Sequence, residues 1–208
     1  MPVTVKLVGS LLIALWSLAR LRFWLATRKR AVRRSAMTPA RSALLVVVSL
    51  SLAPIYLYYF TPLLDRSRLA WPAWIGWLGN ALLTGAVALF IWSHLALGPA
   101  WTARVDVAEG QRLVTRGPFR WVRHPMYLSL FLLALALLLA SASPLVALPF
   151  GVALVAMYAE RVGAEEALML ETFGEEYRAY MGRTGRLLPR CAWRGRRPRS
   201  GWQDGWSP

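Results

Sequence analysis

The chain has 208 residues, 57% of them hydrophobic, with a formal net charge of +15 and a mean hydropathy of +0.41. That length allows one domain or one membrane bundle, and so apolar a chain excludes an ordinary soluble domain in favour of a polytopic membrane protein. The cations flank apolar segments rather than line one helix, which points to membrane topology and away from nucleic acid. One cysteine, Cys191, and two histidines, His94 and His124, give neither a disulfide framework nor a Cys/His metal centre.

In chain order, Val3 to Leu25 is apolar but interrupted by Lys6, Arg20 and Arg22. Without a basic leader or a small-residue cleavage site it reads as a retained first helix. Arg28 to Arg41 form a basic linker. Ala43 to Leu64 is a second span with a kink expected at Pro54. Asp65 to Ala70 is a turn, and Trp71 to Leu97 is a third span that opens on a belt of Trp71, Trp74 and Trp77. Gly98 to Arg123 is a polar connection. Met126 to Ala140 and Leu145 to Glu160 are then two apolar runs joined by Ser141-Ala142-Ser143-Pro144. Each run is shorter than the ~20 residues needed to cross a bilayer upright. A tight hairpin is expected, its helices extending beyond the apolar stretch, with Tyr127 and Glu160 inside the fold.

The tail from Arg161 to Arg190 interleaves charge with Leu168, Leu170, Phe173, Tyr177 and Tyr180. It reads as a continuation of the fifth helix, a break at Gly174, a short second helix and an end at Pro189. Cys191 to Pro208 lacks periodicity and reads as a disordered basic tail. No segment shows the alternation of a strand, so no glycine-rich nucleotide fold is expected. The expectation is an all-α integral membrane protein of about five transmembrane helices, the last two a short hairpin. Its parts would be residues 1–70, membrane helices and linker; 71–190, the core; and 191–208, the tail.

Charge gives an orientation. Six Lys and Arg lie in 26–42, five in 98–125 and nine in 161–208, against Arg66 and Arg68 on the opposite side. The N-terminus is therefore expected outside, with the central connection and C-terminal segment in the cytoplasm.

The stretch from Arg116 to Tyr127, Arg-Gly-Pro-Phe-Arg-Trp-Val-Arg-His-Pro-Met-Tyr, stands out between apolar regions. Pro118 and Pro125 push their preceding residues out of the helical region, so the backbone between them is stiff and largely non-helical. A basic linker would suffice for topology alone; the aromatic and imidazole content suggests a ligand-gripping segment. Gln111-Arg112-Leu113-Val114 leads into it, with Leu113 and Val114 suited to a flat ligand. Arg161 and Glu165 lie four apart on one helical face, where an ion pair is the plain expectation, beside Glu160 and Glu166. Carboxylates for hydroxyls or an amine, cations for a carboxylate and aromatic faces for a sulfonium together meet the chemistry of S-adenosyl-L-methionine.

These motifs, in order, are Leu97-Gly98, Trp101, Leu113 to Phe119, Arg123 to Tyr127, Glu165-Glu166, Phe173 to Tyr180 and Arg186 to Pro189. The series resembles the isoprenylcysteine carboxyl methyltransferase family, integral-membrane enzymes grouped with phospholipid methyltransferases, over about Trp74 to Arg190. The resemblance implies a cytosol-facing S-adenosyl-L-methionine pocket in the C-terminal segment, with a lipophilic or lipidated acceptor entering from the bilayer. Carried over residue by residue, it assigns Gln111, Arg112, Leu113, Val114, Phe119, His124, Pro125, Met126, Tyr127 and Glu165 to the cofactor. Arg161 is assigned to the acceptor carboxylate. Phe119 departs from the tyrosine common in the family, and Arg104 is left unassigned.

The absence of an evident base favours a carboxylate acceptor over an amine or thiol. Phospholipid or small-molecule amine and thiol methylation are alternatives. Membrane sterol reductases share an Arg-His-Pro-x-Tyr run but use a nicotinamide donor, and the Glu165-Glu166 pair speaks against them. A non-enzymatic accessory protein is the remaining alternative.

Overall fold

The computed structural model describes residues 2–27, 32–35, 38–98, 106–108 and 112–190. The helices are α1 (Val3–Thr27), α2 (Pro39–Leu50), α3 (Ala53–Phe60), α4 (Ala73–Leu97), α5 (Pro125–Ser141) and α6 (Pro144–Arg183). Four segments are long and apolar enough to cross a membrane: Val3–Ala26, Pro39–Phe60, Ala73–Leu97 and Pro144–Arg183. With the shorter apolar helix Pro125–Ser141 they make a multi-pass, all-α membrane fold.

The second span starts earlier than expected, at Pro39, where the Thr38 hydroxyl accepts from the Arg41 N–H and caps the helix. The kink expected at Pro54 is a break at Ser51 and Leu52 that separates α2 from α3. Proline removes its own N–H and clashes with the carbonyl four residues back, Leu50, and the helix stops there.

Two short strands appear where none was expected. β1 (Val32–Ser35) pairs antiparallel with β2 (Asp106–Ala108), Ser35 opposite Asp106. This ribbon ties the basic linker to the central connection. It pairs through backbone groups and needs no long alternating pattern.

The core lies where α4 crosses α5 and α5 turns back along α6. Leu83, Leu133, Ala136, Leu137, Val146, Phe150 and Leu154 are all at most 1% exposed. Gly79 lets α4 touch α5, since a Cβ there would stand 2.3 Å from the Ala140 backbone nitrogen. The hairpin turns at Ala142, which is left-handed (φ 52°). The Ser143 N–H donates to Ser141 Oγ (3.1 Å) and the Leu69 N–H donates to Ala142 O (2.7 Å), which fixes the turn to the α3–α4 connection.

The two hairpin helices are unequal. α5 begins at Pro125 with no extension before its apolar run, whereas α6 continues for 40 residues. Gly174, with φ 52°, interrupts it as expected, and the helix then ends at Arg183 rather than near Pro189. Glu160 is not inside the fold: its side chain is 46% exposed and faces Arg41 of α2 at 3.6 Å. Its place on the α6 surface that meets α2, one residue before the buried Arg161, gives it that outward direction.

Candidate functional site

The Arg116–Tyr127 stretch forms a short 3-10 turn, Gly117–Arg120, and then enters α5 at Pro125. Gly117 has φ 61°, and a side chain there would press on Ala96 Cβ at 3.0 Å, so glycine is required twice over. Pro118 and Phe119 are buried, and Tyr180 OH donates to Phe119 O at 2.6 Å.

After α6 the chain folds back as a strap, residues 184–190, along this turn. The Arg123 N–H donates to Gly185 O (2.8 Å) and the His124 N–H to Arg186 O (3.0 Å). Arg123 Nη1 also donates to Met181 O (3.2 Å) and to Thr184 O. Glu166 sits beneath this junction, its side chain 5% exposed, and collects three cationic or imidazole groups. Arg123 Nε donates to it at 3.0 Å, Arg186 Nη2 at 2.7 Å, and His124 Nε2 lies 3.3 Å away. The Glu166 carboxylate, hydrogen-bonded to Arg186, raises that guanidinium's pKa and keeps the pair charged.

Glu165 turns the other way. Tyr127 OH donates to its Oε1 at 2.8 Å, Arg161 Nη2 lies 3.3 Å from the same oxygen, and His124 Nδ1 stands 3.7 Å from Oε2. The expected Arg161–Glu165 helix pair is therefore present. Arg161 is also 5% exposed, so this is a desolvated pair rather than a surface one.

These groups border one cavity of about 300 Å³. Arg112, Leu113, Val114, Phe119, His124, Pro125, Met126, Tyr127, Arg161 and Glu165 all line it. Gln111, Trp101 and Arg104 lie outside the described residues. Phe173, Tyr177 and Tyr180 add an aromatic wall from the end of α6. The opposite wall was not anticipated: Trp16, Arg20 and Trp24 come from α1, and Leu45 and Val48 from α2. Nothing in the resemblance covers α1 or α2. The one available signal was Arg20 itself, a charge inside an apolar span, which membrane energetics marks as a site residue. Glu166 was singled out only as half of a pair. That two arginines and a histidine converge on it depends on the strap's return, which local sequence does not encode.

Chemically, the cavity has one end rich in guanidinium, imidazole and carboxylate groups and another end walled by spanning helices. It is suited to an amphiphile or to two ligands meeting, one polar and one apolar.

Comparison with known proteins bears on this arrangement. The model of the isoprenylcysteine carboxyl methyltransferase family matches residues 77–171. Over 52 residues the chain is 36% identical to YpbQ of Bacillus subtilis, an uncharacterized protein, covering 24% of this chain and 31% of that one. Over 77 residues it is 34% identical to the protein-S-isoprenylcysteine O-methyltransferase of Saccharomyces cerevisiae, covering 37% of this chain and 32% of that one. The matches thus span about a third of those relatives' own length. The solved structure of the eukaryotic intramembrane Ras methyltransferase, isoprenylcysteine carboxyl methyltransferase, superposes with a TM-score of 0.52 at 23% identity. That superposition covers 73% of this chain and 53% of that one, and the fold is shared. Over the matched segment the chain is similar to the isoprenylcysteine carboxyl methyltransferase family, and it shares the fold of that solved structure.

Proposed function

We propose that the protein is an integral-membrane methyltransferase that moves the methyl group of S-adenosyl-L-methionine to a lipophilic carboxylate of the isoprenylcysteine type. One observation carries the reading. A single cavity joins the Arg-His-Pro turn and Glu165 to apolar walls drawn from α1, α2, α4 and α6, so a cytosolic cofactor and a bilayer-borne acceptor meet in it.

The residues present fit the cofactor. Glu165 offers carboxylate oxygens to hydroxyls or an amine, and its existing Tyr127 donor shows that it accepts in that place. Arg112 and His124 supply positive or donor groups for a carboxylate, Leu113 and Val114 an apolar rest for a flat base, and Phe119, Tyr127 and Tyr177 faces for a sulfonium. Pro125 and Met126 complete that wall, and Gln111 belongs to the same set by its place before Arg112.

When bound, the cofactor supplies an electrophilic methyl group. Arg161 orients the acceptor carboxylate, and Glu165 at 3.3 Å holds its guanidinium in place. A carboxylate is already its own nucleophile, so no side chain has to remove a proton. The protein's contribution is alignment and exclusion of water by the aromatic and apolar walls. The N-terminus lies outside and the Arg116–Tyr127 turn faces the cytoplasm. Residues 71–190 are the catalytic core, with 1–70 supplying the α1–α2 wall.

The test is to incubate purified protein with labelled S-adenosyl-L-methionine and a panel of prenylcysteines, aminophospholipids and small thiols. Base-labile label on a prenylcysteine is the expected result; label on an amine or thiol would replace the acceptor class. No calorimetric affinity for the cofactor would overturn the reading altogether.

A further inference from the structure

Arg20 lies on α1, outside the 77–171 segment that the family model matches, and it lines the cavity. It stands seven residues before the end of α1 at Thr27, or about 10 Å along a helix. At such a depth within a span an ionised side chain is costly unless something answers its charge. Its guanidinium carbon stands 5.5 Å from the ring centroid of Trp16, one turn earlier, and Tyr56 and His94 are near enough to feel its charge. No described carboxylate lies within ion-pair distance of it.

Trp16 repeats the pattern. It is 2% exposed and lines the same cavity, and its Nε1 donor has no hydrogen-bond partner among the described residues. The cavity's other interior arginines are answered: Arg123 by Glu166 at 3.0 Å and Arg161 by Glu165 at 3.3 Å. The α1 wall thus presents surplus positive charge and a spare donor between the apolar side chains of Leu45, Val48 and Phe90.

We propose that Arg20, over Trp16, is an anion subsite on the α1 wall that takes the carboxylate or phosphate of a membrane amphiphile whose apolar part lies against Leu45, Val48 and Phe90. It selects what enters and takes no part in bond making. Guanidinium suits the role because it stays charged at any accessible pH and binds two anion oxygens at once. The inference rests on the cavity being the site of a lipophilic acceptor, and its test does not need turnover.

Equilibrium binding of a farnesyl thioether carrying a carboxylate is compared with that of the matching carboxamide, on wild type, Arg20→Gln and Arg20→Lys in detergent. Wild type is expected to prefer the acid by roughly tenfold or more, the scale of a charged hydrogen bond. Arg20→Gln should lose most of that preference, leaving the share that Arg161 contributes, and Arg20→Lys should keep more of it. Cofactor affinity by calorimetry should stay within about twofold in both variants, as expected for a group that holds no cofactor. Competition by phosphatidylglycerol but not phosphatidylcholine would assign the subsite to a lipid phosphate; no competition assigns it to the acceptor carboxylate on its way in, before Arg161 orients it for transfer. Equal wild-type affinity for acid and amide, or undiminished acid preference in Arg20→Gln, overturns the proposal. Should Arg20→Gln elute as aggregate, Arg20→Met, similar in length and at home in a span, takes its place. Wild type that binds the acid but no cofactor would refute methyl transfer and leave the subsite standing.

Discussion

Glu165 and Glu166 are sequence neighbours with opposite surroundings, and their variants should separate cleanly. Glu165 faces the cavity, so Glu165→Gln should weaken cofactor binding roughly 10- to 150-fold, the value of a charged hydrogen bond. Glu171→Gln, on the same helix but off the cavity wall, should bind as wild type in the same titration. Glu166 does not line the cavity, and Glu166→Gln strands Arg123, whose side chain is 6% exposed. Breaking a buried pair by removing one partner costs about 3–5 kcal/mol. Thermal unfolding in detergent should therefore fall for both variants, and furthest for Glu166→Gln, which loosens Arg123, Arg186 and His124 together where Glu165→Gln leaves Arg161 without its carboxylate. Arg161→Lys keeps the charge but loses the two-point grip, so it should raise the acceptor KM or lower kcat at nearly constant cofactor affinity. His124→Ala should do the reverse. An Arg161→Lys enzyme with wild-type kinetics would reduce Arg161 to a structural partner of Glu165. The helix spacing of Arg161 and Glu165 and the Arg-His-Pro-x-Tyr run were legible in sequence because they are local. The division of labour between the two glutamates was not, since it is decided by Arg186 arriving from twenty positions away.

At the scale of elements, two contacts set how the helices stand. Gly79 allows α4 and α5 to meet backbone to backbone, and a methyl group there would lie 2.6 Å from Ala140 Cα. Overpacking of this kind costs about 1–3 kcal/mol. Gly79→Ala should lower the unfolding midpoint, whereas Gly85→Ala, with nothing within 4 Å of the added carbon, should not. The second contact is electrostatic. Lys6 Nζ donates to Asp65 Oδ1 at 2.6 Å, and Arg68 joins them. The Lys6 hydrogen bond above all, then Arg68, holds the Asp65 carboxyl below its usual range. A depressed carboxyl contributes stability that is present above the unfolded value and lost as pH falls through the folded one. Acidification below pH ~4 should thus loosen the attachment of α1 to the α3–α4 connection, by less than ~1 kcal/mol for so exposed a pair. Asp65→Asn should remove that acid dependence from the unfolding midpoint while leaving the midpoint near neutrality only slightly lower. Apolar run lengths and prolines announced the apolar spans, because burial in a bilayer is written in composition. The break before Pro54 and the β1–β2 ribbon were less legible: proline fixes that a helix is disturbed but not whether it bends or stops, and a three-residue ladder carries no periodic signature.

Across the whole molecule the distribution of charge makes the plainest prediction. With native Cys191 replaced, a cysteine probe at position 68 should react with a membrane-impermeant reagent from outside, and one at position 110 should stay protected until the membrane is permeabilised. The reverse labelling would invert the orientation and place the cavity's polar end on the far side. The α1–α2 wall was the least legible part of the architecture, because the recognisable motifs begin only in α4 and nothing local says which of an apolar helix's faces will meet a cavity. The strap raises a different matter, one of timing. The Arg-His-Pro turn takes its backbone partners from Gly185 and Arg186, and Glu166 takes its closest cation from Arg186. During synthesis the helices enter the bilayer in order, yet the pocket has no finished floor until the last of these residues has left the ribosome. A nascent chain halted after α6 should therefore insert and span normally while remaining blind to its ligands, and membrane residence would be a poor proxy for a completed pocket. Quality control that monitors only insertion would pass such chains, and a pulse of synthesis should show binding competence lagging behind membrane integration.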